Sequence, residues 1–208
     1  MNQKNSLGLN NCFLDLDDPI QLFKTWMDEA KKSEPNDPNA VSLATSNKNN
    51  FPSVRMVLLK DFSQNGFVFY TNLKSKKGNE LKENPKVAMC FHWKSLLRQI
   101  RINGTVTQVA DEVADKYYNS RSYESRIGAW ASKQSEELIN RDQLINSIKE
   151  YKNKYNEENK VPRPSHWSGW ILSPLSIEFW LDGDNRIHER LKYTKASSGQ
   201  WSKSLLSP

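Results

Sequence analysis

The tetrapeptide Ser63-Gln64-Asn65-Gly66, set between the apolar runs 53–60 and 67–70, constrains the fold of this chain more than any other feature. Asn-Gly favours the positive φ angles of a tight hairpin, so the two runs are expected to pair as antiparallel strands. Three further strand-like runs, 40–45, 86–93 and 97–109, surround this hairpin. The polar turns at 47–50 and 94–95 are too short for the crossover that a parallel pairing needs. Residues 75–83 read as a short helix stopped by Asn84-Pro85. Upstream, Asp17-Asp18-Pro19 opens a helix with the apolar stripe Ile20, Phe23, Trp26 and Met27. Downstream, helices are expected over 111–118, 122–131 and 141–155, and strands over 167–172, 176–181 and 187–194. Hairpin-linked strands with inserted helices predict an α+β, mainly β, barrel and not a doubly wound sheet.

Residues 1–16 carry four Asn and no periodicity and read as a mobile tail; 17–208 read as one domain. A chain of 208 residues buries roughly 70% of its unfolded surface, and 8 Phe, 7 Tyr and 7 Trp can fill a core without a disulfide or metal staple. Cys12 and Cys90 lie far apart, no secretory pattern opens the chain, and free thiols in a reducing cytoplasm are expected. No apolar run is long enough to span a membrane. G-x-G-x-x-G, the P-loop and metal-ligand spacings are all absent, so no metal is expected.

The net charge of +6 points to a polyanion or a phosphorylated small ligand, and the positions of the basic residues discriminate between them. Ser75 is a candidate N-cap, which puts Lys76 and Lys77 in the first helical turn, where cations oppose the dipole unless an anion binds there. An exposed basic turn is the plainer alternative. Ser122 can cap the next helix, with Ser125 in its first turn, Arg121 just before it and Tyr117 one turn back. A chain break at Asn119-Ser120 would fold these into a second anion pocket. Arg55 and Lys60 bracket an apolar strand and point to opposite faces unless a bulge or the strand end intervenes. Gln99 and Arg101 share one strand face, Arg98 the other. Read as a strand, Arg186, His188 and Arg190 also share a face, and three cationic groups there repel unless offset. Trp130, Trp167, Trp170 and Trp180 are expected in the core.

Taken in order, RMVLLK (55–60), FYTNLKSKK (69–77), LLRQIRING (96–104), KYYNSRSYESRIGAWASKQS (116–135), VPRPSHWSGW (161–170) and IEFWLDGDNRIHER (177–190) resemble the pyridoxamine 5′-phosphate oxidase family over nearly the whole chain. The resemblance implies an FMN-binding split β-barrel with helices packed around it, in a homodimer with FMN at the interface. It implies FMN contacts at Arg55, Met56, Val57, Leu58, Leu59, Lys60, Tyr70, Thr71, Lys76, Lys77, Gln99, Trp180 and Arg190. Gln134 and Ser135 match a further contact, from the other subunit. Lys60, Tyr117, Arg121 and Ser125 match the substrate-phosphate pocket, and Arg186, Ile187 and His188 the substrate ring, with Arg186 and His188 in the catalytic role. The implied reaction oxidises pyridoxine or pyridoxamine 5′-phosphate to pyridoxal 5′-phosphate by hydride transfer from C4′ to flavin N5. Dioxygen is the acceptor and hydrogen peroxide the product, and the amine also releases ammonia.

The chain departs from the pattern at Lys76, where Arg is common, at Leu181, where a polar residue is frequent, and in its C-terminal tail. A flavoprotein of the same fold but other specificity is the alternative. A nucleic-acid binder fits the charge but not its dispersal, so neither nucleic acid nor membrane is an expected partner.

Overall fold

The computed structural model describes residue 13 and residues 16–208. Helix α1 (Pro19–Ser33) leads into β1 (Ala40–Ser46), β2 (Pro52–Leu58), β3 (Asp61–Ser63) and β4 (Gly66–Asn72). Helix α2 (Lys76–Glu83) then precedes β5 (Lys86–Trp93) and β6 (Arg98–Gln108). Three helices follow, α3 (Asp111–Asn119), α4 (Tyr123–Ala131) and α5 (Arg141–Lys154), and then β7 (Trp167–Leu181), β8 (Glu189–Lys195) and β9 (Trp201–Leu205).

The strands form one curled antiparallel sheet in the order β2-β1-β5-β6-β7-β4-β3, with β8 on β7 and β9 on β8. The Asn65-Gly66 turn joins β3 to β4, with Ser63 opposite Gly66; the run 53–60 expected to pair with 67–70 instead lies along β1, and only the short β3 pairs with β4. The expected strands 167–172 and 176–181 are halves of one strand, β7. Its first half pairs with β4, its second half with β8, and β6 lies along both. Pro174 faces a register shift at Asn103/Gly104, where the sheet bends.

Asp18 caps α1 by accepting from Ile20 N at 2.8 Å, and Pro19 fills the first turn. The buried face of α1 fills the sheet's concavity. Phe23 meets Phe62, Phe67 and Phe91 edge-on at centroid distances of 4.8, 4.9 and 5.3 Å, each worth about 1 kcal/mol beyond area burial. Arg98 is also buried, over the Trp26 ring and 2.6 Å from Glu29.

The expected tail lies outside the described residues except at Phe13 and Leu16. Phe13 stacks on Trp26, and Leu16 O accepts from Tyr193 at 2.6 Å. Among the described residues no helix is long and apolar enough to cross a membrane, and no group of His, Cys or carboxylates could hold a metal ion.

Candidate functional site

A cleft of about 640 Å³ opens where the ends of β2 and β4 and the start of β7 meet helices α2, α3 and α4. Lys60 lies past the end of β2, so it escapes strand parity and reaches the cleft with Met56, Val57 and Leu58. Register holds Thr71 opposite Ser168 and Asn72 opposite Trp167. Tyr70 stacks on Tyr117 at 4.0 Å and on Trp167 at 5.2 Å, and Tyr117 lies 6.2 Å from Trp167, so the three near-parallel rings form a cluster.

Ser75 caps α2 by accepting from Gly78 N at 3.2 Å, which starts the helix at Lys76. Lys77 turns into the cleft; Lys76 stays exposed and outside it. Ser122 caps α4 by accepting from Ser125 N, and the two hydroxyls lie 2.9 Å apart. The break at Ser120 between α3 and α4 brings Tyr117, Arg121 and Ser125 to one cleft.

The electrostatics are one-sided. Burial, with Arg55 nearby, pulls the Lys77 ammonium down to about 8. Its partners are neutral: Thr71 Oγ1 at 2.6 Å and Gln134 Oε1 at 2.9 Å. Arg121 lies 4.8 Å over the Trp167 ring, burial lowers its pKa, and among the described residues its buried Nη1 has no hydrogen-bond partner. Among the described residues none of Lys60, Lys77 and Arg121 forms an ion pair. Lys77 and Arg121 are half-buried, and cations so placed without carboxylates call for an anionic ligand. Helix α4 leaves room for one, since a Cβ built on Gly128 meets nothing within 4 Å. Cations on separate elements beside an aromatic stack and apolar side chains fit a flat, phosphorylated cofactor together with a phosphorylated substrate.

Eleven of the residues singled out in the sequence therefore line one cleft: Met56, Val57, Leu58, Lys60, Tyr70, Thr71, Lys77, Tyr117, Arg121, Ser125 and Gln134. Gln134, expected to serve the other subunit's site, lines its own chain's cleft. Arg55 stands behind the cleft, bonded to Leu43 O, Thr45, Ser53 and Glu80. Leu59 is turned into the core. Ser135 lies outside the lining, with φ of 75°. Trp167 is buried as expected and also forms a cleft wall, a role that sequence reasoning missed, as it missed Asn72, Gly128 and Ser132; of the other tryptophans expected in the core Trp170 is buried, whereas Trp130 and Trp180 are half-buried. Only the run of aromatics around 167–170 hinted at the cleft wall.

The remaining residues gather at the far end of β6, β7 and β8. Gln99 pairs with Trp180, and Trp180 with Arg190. Arg190 holds Glu178 Oε1 through Nε at 2.9 Å and Nη2 at 2.8 Å. The shared strand face expected for Arg186, His188 and Arg190 is corrected here. Asp184–Arg186 is a helical turn with Asn185 and Arg186 at φ of 55° and 66°, so β8 starts only at Glu189. The repulsion expected on that face is relieved, because Arg190 turns to Glu178 and His188 to Asp182 while Arg186 and Ile187 are exposed.

Residues 27–155 match the family model described as pyridoxamine 5′-phosphate oxidase, and 167–208 match that for the pyridoxine 5′-phosphate oxidase C-terminal dimerisation region. The chain is 74% identical to the pyridoxine/pyridoxamine 5′-phosphate oxidase of Pelagibacter ubique over all 208 residues, which cover 100% of both chains. It is 54% identical to that of Allorhizobium ampelinum over 94% of this chain and 95% of the other. Among solved structures, PhzG from Burkholderia lata, in complex with tetrahydrophenazine-1-carboxylic acid, superposes with a TM-score of 0.89 at 28% identity, covering 98% of each chain. A pyridoxamine 5′-phosphate oxidase-related, FMN binding protein from Nostoc punctiforme shares the fold, with a TM-score of 0.74 at 14% identity, over 92% of this chain and 98% of that one. By full-length identity, matched family models and shared split-barrel fold, this chain belongs to the pyridoxamine 5′-phosphate oxidase family of oxidoreductases.

Proposed function

We propose that the chain is an FMN-dependent pyridoxine/pyridoxamine 5′-phosphate oxidase that makes pyridoxal 5′-phosphate. The observation that carries this reading is the cleft in which, among the described residues, Lys60, Lys77 and Arg121 stand without counter-ions beside the ring cluster of Tyr70, Tyr117 and Trp167. Bound FMN would supply a two-electron acceptor for the C4′ hydride at N5, with dioxygen taking the electrons to hydrogen peroxide.

The protein's part is to bind and orient. Lys77, Thr71 and Gln134 hold the FMN phosphate, and Met56, Val57, Leu58 and Tyr70 line the flavin. Lys60, Tyr117, Arg121 and Ser125 hold the substrate phosphate, which fixes the reacting carbon by proximity. Trp180, Arg186, His188 and Arg190 do not line this chain's cleft. In a two-fold homodimer the same residues of a second protomer complete it, Arg186 and His188 against the substrate ring. This dimer is supported by the match of 167–208 to a dimerisation region and by the exposed apolar edge Val54, Met56 and Leu58 on β2. A reducing cytoplasm suits the free thiol of Cys90.

The test is an anaerobic titration of the FMN-loaded protein with pyridoxine 5′-phosphate, followed by flavin absorbance. Bleaching that air reverses supports the oxidase. Bound flavin that neither this substrate nor the pyridoxamine form bleaches sinks it and leaves a split-barrel flavoprotein of other specificity.

A further inference from the structure

We propose that Ser122 takes part in holding the substrate phosphate, as one unit with Ser125, beyond its part as the cap of α4. That the anion is a substrate phosphate rests on the oxidase reading; that the two hydroxyls act as a pair does not.

The pair is local and faces the cleft. Ser122 Oγ and Ser125 Oγ lie 2.9 Å apart, and both residues are exposed and line the cleft with Tyr117 and Arg121. The Ser125 N–H donates to Ser122 Oγ at 3.4 Å, so the contact between the hydroxyls is the shorter of the two. Among the described residues neither hydroxyl oxygen has a further partner. Arg121 sets a guanidinium one residue before the pair, and its buried Nη1 has no partner among the described residues. Glu124, in the same helical turn, is bonded to Lys152 at 2.7 Å and stays out of the cleft lining.

The count of hydrogens gives the pair its role. Two hydroxyls carry two hydrogens, and one of them lies in the bond between the oxygens. One is left over, whichever oxygen donates. A phosphate dianion only accepts, so the hydroxyl it meets turns its hydrogen outward and the other hydroxyl closes the bond. With the anion on Ser125, Ser122 donates to Ser125 Oγ while the Ser125 N–H holds Ser122 Oγ. That small ring fixes the Ser125 side chain and strengthens its O–H as a donor. With the anion on Ser122, the two hydroxyls exchange parts. In both arrangements, removing one hydroxyl takes away the support of the other.

Steady-state kinetics of the FMN-loaded parent, Ser122→Gly, Ser125→Ala and the double variant test this. Glycine keeps most of the strength of a serine cap, so α4 still starts in place. Ser122→Gly is expected to raise the KM for pyridoxine 5′-phosphate about threefold to tenfold, the size of one neutral hydrogen bond. FMN affinity by fluorescence quenching should not change. The double variant should match the worse single variant within about twofold, because one unit is lost only once. Ser122→Asp is an equally good cap, but its carboxylate faces the anion, so its KM should exceed that of Ser122→Gly. An unchanged KM in Ser122→Gly, or effects that multiply in the double variant, overturn the proposal. A parental KM in Ser122→Asp, or FMN affinity falling with substrate affinity, would leave Ser122 a cap alone and overturn it too. Calorimetric titration of inorganic phosphate into the same FMN-loaded proteins repeats the cycle without turnover. If the parent fails to bleach with substrate, the oxidase reading falls and this titration decides the pair; a parent that binds no phosphate overturns it.

Discussion

Lys77 Nζ donates to Thr71 Oγ1 at 2.6 Å, a cation held by a neutral hydroxyl. Gln134 Oε1 closes the triangle, 2.9 Å from the ammonium and 3.3 Å from the hydroxyl. Helix α2, strand β4 and the loop after α4 thus converge on one half-buried charge. Burial and Arg55 make that charge costly, which is the state an incoming phosphate relieves.

A pH dependence of FMN affinity follows. Free Lys77 titrates at about 8. A bound phosphate raises that value, so binding takes up a proton. Affinity should hold below pH 8 and fall as pH rises above it. Quenching of flavin fluorescence across that range checks this. Lys77→Met should weaken FMN about tenfold or more at neutral pH, the loss of a charge-assisted hydrogen bond, and flatten the profile. An unchanged slope in the variant would move the effect to another group.

Arg121 should divide substrate from cofactor. Its buried Nη1 has no partner among the described residues, and its guanidinium rests on Trp167. Arg121→Met keeps much of the packing and removes the charge. The KM for pyridoxine 5′-phosphate should rise about 10- to 100-fold, as one or two charge-assisted bonds are lost. FMN affinity should stay within about twofold, inside the scatter of mutational effects. Steady-state kinetics and a flavin titration on the same preparation decide it.

Much of this site was legible because it is built from local signals. Asn65-Gly66 set the hairpin, Ser75 and Ser122 were readable as caps, and the caps placed Lys77 and Ser125. The resemblance then named the ligands. Long-range effects were not legible. Whether Arg55 faces the cleft is decided by Glu80, 25 positions away. Trp167 is buried as its type suggests, but nothing local says that β7 begins at a cleft wall. The turn at Asp184–Arg186 was hidden by β-branched and apolar residues that follow it, and β9 by its mixed polarity.

Gly128 offers a trade between stability and binding. It sits inside α4, where glycine costs about 1 kcal/mol relative to alanine. An added methyl meets no protein atom and projects into the space the ligand needs. Gly128→Ala should therefore raise Tm by about 2–4 °C for a chain of this size, while weakening FMN or substrate. Differential scanning calorimetry must move against a flavin titration or against the KM for pyridoxine 5′-phosphate; a variant more stable and unchanged in both would show that the cleft's occupant does not approach α4.

Glu80 should dominate the acid limb of stability. Its carboxylate is buried and accepts from Thr45 and Ser53 and from Arg55 Nη2 at 3.1 Å. Burial alone would raise its pKa, but these hydrogen bonds and the Arg55 charge outweigh burial and hold it below the ordinary 4.5. A group whose folded value is depressed stabilises the fold above its unfolded value. That contribution is complete above pH 4.5 and drains away as pH falls towards the folded value. Glu80→Gln keeps the shape but leaves the half-buried Arg55 against a neutral amide, at a cost of up to about 3 kcal/mol near neutrality. The Tm of the parent should drop steeply on acidification below 4.5, and that of the variant should start lower and drop less. Parallel acid limbs in the two proteins would assign the acid sensitivity to other carboxylates and leave the Glu80–Arg55 pair without a titrating role.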